Sequence, residues 1–330
     1  MEFMKNKYKC FSLFSGGLDS ILAVLHMRKL GYEVIPVFFQ TPFFGAEKAL
    51  KAAENADIQI RVIDITADYI KMLENPAYGF GKNMNPCIDC HGLMFRKAGE
   101  MMEAEQVDFL ISGEVLGQRP MSQRFDALNS VGKLSKVKDL LIRPLSQKLL
   151  ADTLPVREGW VKKEEMLDIQ GRGRQRQIKM AKEFGISHYQ NPGGGCLLTD
   201  QGFSRRLKDL IRYKMLTVKN IRLLRLGRHF RLNPNCKFIV GKNNNDNEKI
   251  NQLAAEGLIF QTVNQPGPLG LMISLAEIGN CEIEQAASIL LRYSNKAATE
   301  DVVSFGNGTE SDQQIKITKM EERSVVKLMI

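Results

Sequence analysis

Apolar positions follow two rhythms along the first two hundred residues. Short β-prone runs alternate with stretches whose apolar residues recur every three or four positions. Lys9–Phe14 is such a run, and Ile21–Arg28 behind it has helical spacing, with a stop signal at Gly31. Glu33–Phe39 reads as a second strand, Ala46–Ala56 as a helix and Ile58–Asp64 as a third strand. Val107–Ser112 forms a fourth strand and Leu140–Arg143 a shorter fifth, with helical patterns such as Leu93–Glu103 between most of them. This alternation predicts an α/β fold with an open parallel sheet, which receives ligands at the carboxyl ends of its strands. The loop after Phe14, the Thr41–Gly45 turn, the Gly113 loop and the Arg143-Pro144 turn all fall on that edge.

From about Gly202 the pattern changes. A basic helix, Phe203–Leu216, precedes shorter strand-like runs at Cys236–Val240, Leu258–Phe260 and Leu269–Ile273. Asn243–Asn247 reads as a polar cluster capping a helix over Glu248–Glu256. The tail shows β-prone runs at Gln314–Thr318 and Val325–Ile330 around a turn signal at Gly306-Asn307-Gly308. We therefore expect a first domain over residues 1–201 and a second, smaller α+β domain over 202–330.

Charge sharpens this division. Of 46 Lys and Arg against 37 Asp and Glu, ten bases and a single acid, Asp209, lie between Ser204 and Pro234. The whole net excess of +9 thus sits in one segment, the footprint expected of a polyanion binder, although a solvated amphipathic helix gives the same composition. The longest aliphatic stretches, such as Ile21–Leu25, fall far short of the ~20 residues that span a bilayer. Met1–Lys5 lacks the apolar segment of a signal peptide, so the expected setting is the cytoplasm, with no membrane partner.

The chemistry begins at Ser15-Gly16-Gly17-Leu18-Asp19-Ser20, a glycine turn between the first strand and the first helix. Backbone amides at a helix N-terminus converge there and the helix dipole adds about half a positive charge, which makes an anion cradle. Gly16 and Gly17 allow close approach of a phosphate, Ser15 and Ser20 offer hydroxyls, and Asp19 can hold Mg²⁺ or cap the helix. A Walker loop would place a lysine where Asp19-Ser20 stands. The hexapeptide resembles the PP-loop of ATP pyrophosphatases, which split ATP into AMP and pyrophosphate. That resemblance implies a Rossmann-like PP-loop sheet and nucleotide contacts from Ser15, Gly16, Gly17, Leu18, Asp19 and Ser20.

Gly113-Glu-Val-Leu-Gly-Gln-Arg-Pro-Met-Ser-Gln123 resembles a stretch of tRNA 4-thiouridine synthases, departing from it at Arg119-Pro120. Arg143-Pro144-Leu145 also has a counterpart in that family. Physically, a glycine loop opened by Gly113 and carrying Gln118 and Gln123 can hold the adenylate or the ribose; a plain polar loop is the alternative. Asn85-Pro-Cys-Ile-Asp-Cys-His91 lies in a proline-containing loop opening a helix, and Asn191-Pro-Gly-Gly-Gly-Cys196 places a third cysteine in a distant glycine loop. The first of these resembles the Asn-Pro-x-x-x-Cys-Asn loop of tRNA-specific 2-thiouridylases. The pair plus one distant cysteine also resembles thiolases that hold a 4Fe-4S cluster on three thiolates, here Cys87, Cys90 and Cys196, with one iron left open for sulfide.

Other chemistries suit the same residues. Cys87-Ile-Asp-Cys-His91 matches the spacing of haem attachment, which belongs to another compartment. Zinc on the three cysteines and His91, or a metal-free persulfide relay between Cys87 or Cys90 and Cys196, also fits, while a disulfide is disfavoured in a reducing compartment. Cys10, Cys236 and Cys281 read as buried small apolar residues. His26 falls on the first helix, and His188 and His229 read as lying in polar surroundings. Gly171-Arg-Gly-Arg-Gln-Arg-Gln177, leading into a helix through Phe184, offers three arginines that either grip phosphate or remain solvated. Phe230-Arg-Leu, Val240-Gly-Lys-Asn, Gln265-Pro-Gly-Pro-Leu and Ala286–Leu290 with Tyr293-Ser294 resemble, in order, the RNA-binding domain of NFACT-type proteins.

Together these resemblances imply a tRNA thiouridine synthase that uses ATP, Mg²⁺ and a 4Fe-4S cluster or a persulfide. ATP would adenylate a uridine carbonyl and a sulfur carried at Cys87 or Cys196 would then displace AMP, with Asp19 serving the first step. The implied partners are tRNA and a sulfur donor, either sulfide or a cysteine desulfurase or carrier protein. The Gly113 loop points to the C4 carbonyl and the Asn85 loop to C2. An amidating ligase of the same fold and a non-catalytic RNA-binding factor are the rival readings.

Overall fold

The computed structural model describes residues 7–189, 196–254, 257–294, 299–307 and 313–330. The chain divides into two compact units, Met1–Thr199 and Asp200–Ile330. In the first, the elements run β1 (Lys9–Leu13), α1 (Leu18–Lys29), β2 (Glu33–Gln40), α2 (Glu47–Glu54), β3 (Arg61–Asp64), α3 (Thr66–Glu74), α4 (Cys87–Met102), β4 (Phe109–Ser112), α5 (Phe125–Ser135), β5 (Leu141–Ile142), α6 (Leu154–Arg157) and α7 (Gln175–Glu183).

The five strands are parallel in the order β3-β2-β1-β4-β5, so β1 is central. Its apolar centre (Cys10, Phe11) is sealed, because helices cover both faces of such a sheet. The chain leaves β1 towards β2 on one side and later returns to β4 on the other. The gap beyond the carboxyl ends of β1 and β4 is therefore the topological switch point, where open α/β sheets take up ligands. α1 packs on the sheet and on α7, with Leu18, Ile21, Leu22 and Val24 all buried. This double cover explains why its sequence carries almost no polar face.

The second unit comprises α8 (Gln201–Arg212), α9 (Val218–Leu223), β6 (Arg228–Asn233), β7 (Cys236–Val240), α10 (Asn244–Gln252), β8 (Leu258–Thr262), β9 (Gly270–Ser274), α11 (Asn280–Tyr293), β10 (Glu300–Asn307), β11 (Gln313–Thr318) and α12 (Glu322–Leu328). Its six strands are antiparallel in the order β11-β10-β8-β9-β7-β6. Phe230, Phe238, Phe260 and Met272 pack with Ala286, Ile289 and Leu290 of α11. No described helix is long and apolar enough to cross a membrane.

Several local expectations are corrected. Val325–Ile330 is not a strand but lies largely in α12, where Val325 is the buried residue and packs into the same core as Phe230. The Asn243 side chain caps α10, accepting from the Asp246 amide at 2.9 Å, so that helix starts within the asparagine cluster rather than after it. The basic helix ends at Arg212, and the chain turns at Lys214, whose φ is +54°, before α9. His229 is 1% exposed inside β6 rather than in polar surroundings, and Cys281 is exposed near the start of α11 rather than buried.

The basic segment is also less open than its composition suggests. Asp209 pairs with both Arg231 and the almost fully buried Lys237, the latter at 2.9 Å. Arg206 donates to the Leu224 carbonyl at 2.8 Å, and Arg228 lies over the Tyr293 ring at 4.5 Å. Arg205, Lys208, Arg212, Lys214, Arg222 and Arg225 remain exposed.

Candidate functional site

The sequence between β1 and α1 folds as a cradle because glycine supplies its unusual backbone. Gly16 takes φ +75°, a left-handed conformation that costs other residues energy, and Gly17 is the N-cap of α1. Among the described residues no side chain caps this helix, so its first amides keep the positive end of the dipole open to an anion. The exposed Ser15 and the buried Ser20 lie hydroxyl to hydroxyl at 3.3 Å, and the Ser20 hydroxyl donates to the Gly17 carbonyl at 2.8 Å. Leu18 is completely buried, which leaves only its backbone to face a ligand.

Asp19 does not cap α1. Its Oδ2 accepts from Gln118 Nε2 at 2.6 Å, and its Oδ1 is sealed without a well-formed hydrogen bond among the described residues. Burial raises its pKa above the ordinary carboxylate value, while the Gln118 contact and the charges of Arg174 and Arg119 oppose the rise. Gln118 belongs to the loop after β4, and Gly113 opens that loop against the cradle. A Cβ at Gly113 would lie 2.5 Å from the backbone carbon and oxygen of Asp19 and from the Ser20 amide. The two loops therefore touch at the switch point, and only glycine permits the contact.

Cys87 and Cys90 sit in the first turn of α4, not in the loop before it. Asn85 Nδ2 donates to Cys87 Sγ at 3.2 Å, and Asp89 accepts from the amides of Ala77 at 2.6 Å and Tyr78 at 3.0 Å, which fixes the incoming loop. Cys196 opens a turn whose Thr199 donates back to the Cys196 carbonyl at 2.7 Å, while Asn83 Nδ2 donates to the Thr199 carbonyl at 2.6 Å. That pair of bonds holds the remote segment against the first. The residues Asn191–Gly195 lie outside the described ones.

Cys87, Cys90 and Cys196 all lie within electrostatic reach of Tyr69 of α3, a residue that sequence reasoning missed. Its ring is completely buried and its hydroxyl has no well-formed hydrogen bond, although it lies near enough to Cys90 to favour the thiolate. Burial raises the Tyr69 pKa far above 10, and negative charge on Cys90, Cys196 or Cys87 would raise it further. Burial pushes the Cys90 thiol up to about 12, with Cys196 and Cys87 adding to the rise. Cys196 is raised by burial, opposed by the Leu198 amide and raised again by Cys87. No three His, Cys, Asp or Glu side chains among the described residues stand in a metal-holding arrangement.

A buried ion network joins the two clusters. His91 Nδ1 lies 2.9 Å from Glu114 Oε1, and Arg143 Nε donates to Glu114 Oε2 at 2.9 Å. Burial opposes the Glu114 charge, but Arg143 and His91 outweigh it and hold the carboxyl at about 2. Glu114 follows Gly113, so the helix carrying Cys87 and Cys90 is tied to the loop that rests on Asp19. Glu114 falls within the Gly113 motif but was assigned no role there, and nothing in the sequence singles out Tyr69, because a lone tyrosine in an amphipathic stretch has no local pattern of its own.

A glycine cradle after the central strand of an open parallel sheet, facing a second glycine loop, is the architecture of a PP-loop nucleotide domain. Residues 6–148 match the family model described as thiamine biosynthesis protein (ThiI), and residues 227–329 match that of the NFACT protein RNA binding domain. One region of the chain is thus similar to ThiI and another to the NFACT RNA-binding domain, each match covering less than half of the chain. It is similar to the probable tRNA sulfurtransferase of Methanosarcina mazei, at 35% identity over 120 residues, covering 33% of this chain and 29% of that protein. It is also similar to the tRNA-specific 2-thiouridylase MnmA of Petrotoga mobilis, at 28% identity over 135 residues, covering 34% of this chain and 36% of that protein. The chain spans about a third of the length of these two relatives. Among solved structures, a 4-thiouridine synthetase–RNA complex with bound ATP overlaps at a TM-score of 0.38 and 19% identity, covering 66% of this chain and 52% of that one.

Proposed function

We propose that this protein thiolates tRNA: it adenylates a uridine carbonyl with ATP and then replaces the activated oxygen with sulfur. The observation that carries this reading is that cysteines from two remote segments lie within electrostatic reach of the buried Tyr69, two of them on a helix tied through His91 and Glu114 to the loop that rests on Asp19. The matches to ThiI and to the NFACT RNA-binding domain, and the names of the relatives, support the same substrate class.

The α1 amides with Ser15 and Ser20 are placed to hold the phosphates of ATP, and Gly113 and Gln118 to face the adenylate. The sealed Asp19 Oδ1 is a hard oxygen beside an anion cradle, which fits Mg²⁺. The uridine oxygen attacks the α-phosphorus, the new P–O bond replaces the anhydride bond, and pyrophosphate leaves. A sulfur nucleophile then adds at the activated carbon and AMP departs. The exposed bases of the second unit would hold the tRNA backbone by phosphate contacts.

Three soft thiol donors are the right chemistry for an iron–sulfur cluster, although as placed they do not form a metal-holding arrangement. Cys87, Cys90 and Cys196 would hold a 4Fe-4S cluster, which when bound supplies an iron able to carry sulfide. Tyr69, which is completely buried, would close one side of that place, while the three cysteines are partly exposed. A metal-free relay is the second reading, favoured because no three described ligand-type side chains are arranged for a metal. There, a persulfide on Cys196 gives its outer sulfur to the activated carbon, and attack by Cys87 on the inner sulfur frees the product and leaves a disulfide for a thiol reductant to reopen.

The test is mass spectrometry of tRNA nucleosides from a strain lacking the gene. One thiouridine should disappear and return on complementation, but not with Cys87→Ser or Cys196→Ser. An unchanged nucleoside profile contradicts the proposal. Anaerobic purification with iron and sulfide analysis separates the two readings, because iron-free protein that still thiolates leaves only the persulfide.

A further inference from the structure

The segment Gly171–Gln177 lies outside both matched regions, yet the fold builds it into the nucleotide cradle. The Gly171 amide donates to the Leu116 carbonyl at 2.7 Å, and Gln170 forms a bridge with Leu116, which staples the segment to the loop that begins at Gly113. α7, which follows, packs on α1. Its Gln177 is completely buried and donates from Nε2 to Gln118 Oε1 at 2.9 Å, while Gln118 in turn donates to Asp19 Oδ2 at 2.6 Å. A continuous relay thus runs from α7 to the PP-loop aspartate.

The three alternate arginines have different environments. Arg172 is exposed, and Arg176 is held outside by Asp168 at 2.7 Å. Arg174 is half-buried, and its charge reaches Asp19. Its Nε is sealed from solvent and has no acceptor among the described residues. Gln177 Oε1 is likewise sealed and unpartnered, and Asp19 Oδ1 is sealed without a well-formed hydrogen bond, although Gln177 lies within reach of its carboxylate. Folded chains rarely leave such groups unpaired, and three that belong to a single connected cluster call for an occupant. Two oxygen acceptors and a guanidinium donor complement a phosphate that carries a divalent cation. The cradle also lacks the lysine that a Walker loop brings to its phosphates, so positive charge must arrive from another element.

We infer that Arg174 is a phosphate ligand of the nucleotide site and that Gln177 is a positioning residue, holding Gln118 and Asp19 for the cation. This rests on the cradle being an ATP site. It assigns Arg174 to the nucleotide and not to the tRNA backbone, because its unpaired nitrogen is sealed beside Asp19 whereas a polynucleotide would meet the exposed Arg172.

The experiment is equilibrium binding of Mg²⁺ and α,β-methylene-ATP to the full chain by calorimetry, with thermal midpoints recorded for each variant. Arg174→Gln should weaken binding about ten- to a hundred-fold, the scale of one lost charge-assisted hydrogen bond. Arg174→Lys should recover part of that loss, and Arg176→Gln should bind like the wild type. Gln177→Leu should raise the Mg²⁺ concentration for half-maximal binding several-fold, a larger change than in metal-free binding, a split that general damage to the fold would not produce. Wild-type affinity in a folded Arg174→Gln variant, or no gain from lysine over glutamine, overturns the inference. A wild-type protein that binds no nucleotide instead overturns the ATP-site reading beneath it.

Discussion

The contact between the two glycine loops can be tested by adding one methyl group. In Gly113→Ala the new Cβ would stand 2.5 Å from the Asp19 backbone carbon and oxygen and from the Ser20 amide. Ordinary carbon contacts begin near 3.5 Å, so the loops must separate by about 1 Å, and backbone atoms cannot swing aside as a side chain can. Overpacking of this kind costs about 1–3 kcal/mol, which in a domain of this size lowers the thermal midpoint by roughly 2–12 °C. A misplacement of about 1 Å at a reacting centre costs about 100-fold in rate. The assay is AMP release from α-labelled ATP in the presence of tRNA, with the thermal midpoint measured on the same preparation. Both should fall, AMP release by about two orders of magnitude. A variant that keeps wild-type AMP release shows that the Gly113 loop does not set the geometry of the cradle, and the reasoning fails even if stability drops.

Three further outcomes follow from the second unit. Asp209→Ala leaves the nearly inaccessible Lys237 without its counter-charge and should destabilise the unit by about 3–5 kcal/mol in urea unfolding; a loss under 1 kcal/mol contradicts the pairing. His229 is buried, which lowers its pKa well below 6.5, so the unfolded chain binds a proton that the folded chain cannot. Stability should therefore be complete above pH 6.5 and fall below it by up to about 1.4 kcal/mol per pH unit, a slope that His229→Gln removes if the variant folds. Replacing the six exposed bases of the basic segment with alanine should make the log–log salt slope of tRNA binding shallower by up to about 5, and an unchanged slope would show that the segment does not meet the phosphates.

How much of this was legible in the sequence depended on how local each signal was. The cradle could be read because strand, glycine pair and helix start lie within a dozen residues. The order of the parallel strands then placed it on the correct edge. The pairing of Cys87 and Cys90 was equally visible, but their position was read as loop because Pro86 obscured the helix that begins immediately after it. Val325–Ile330 was misread because its β-branched residues favour strands, whereas burial of Val325 against the second core selects a helix. His229 and Lys237 look polar in the chain but occupy the sealed side of β6 and β7, a fact set by strand pairing. Glu114, Arg174 and Gln177 lie in motifs the sequence displays, but which of their residues matter, like the role of Tyr69, depends on partners tens of residues or more away.

The most direct test supplies the purified protein with ATP, tRNA and, in parallel reactions, either sulfide or a cysteine desulfurase with cysteine under anaerobic conditions, and counts two products, AMP and thiouridine. The account predicts one AMP for each thiouridine, with neither formed by Asp19→Asn and thiouridine alone lost in Cys196→Ser. Thiouridine formed without AMP, or formed undiminished by Cys196→Ser, would contradict it.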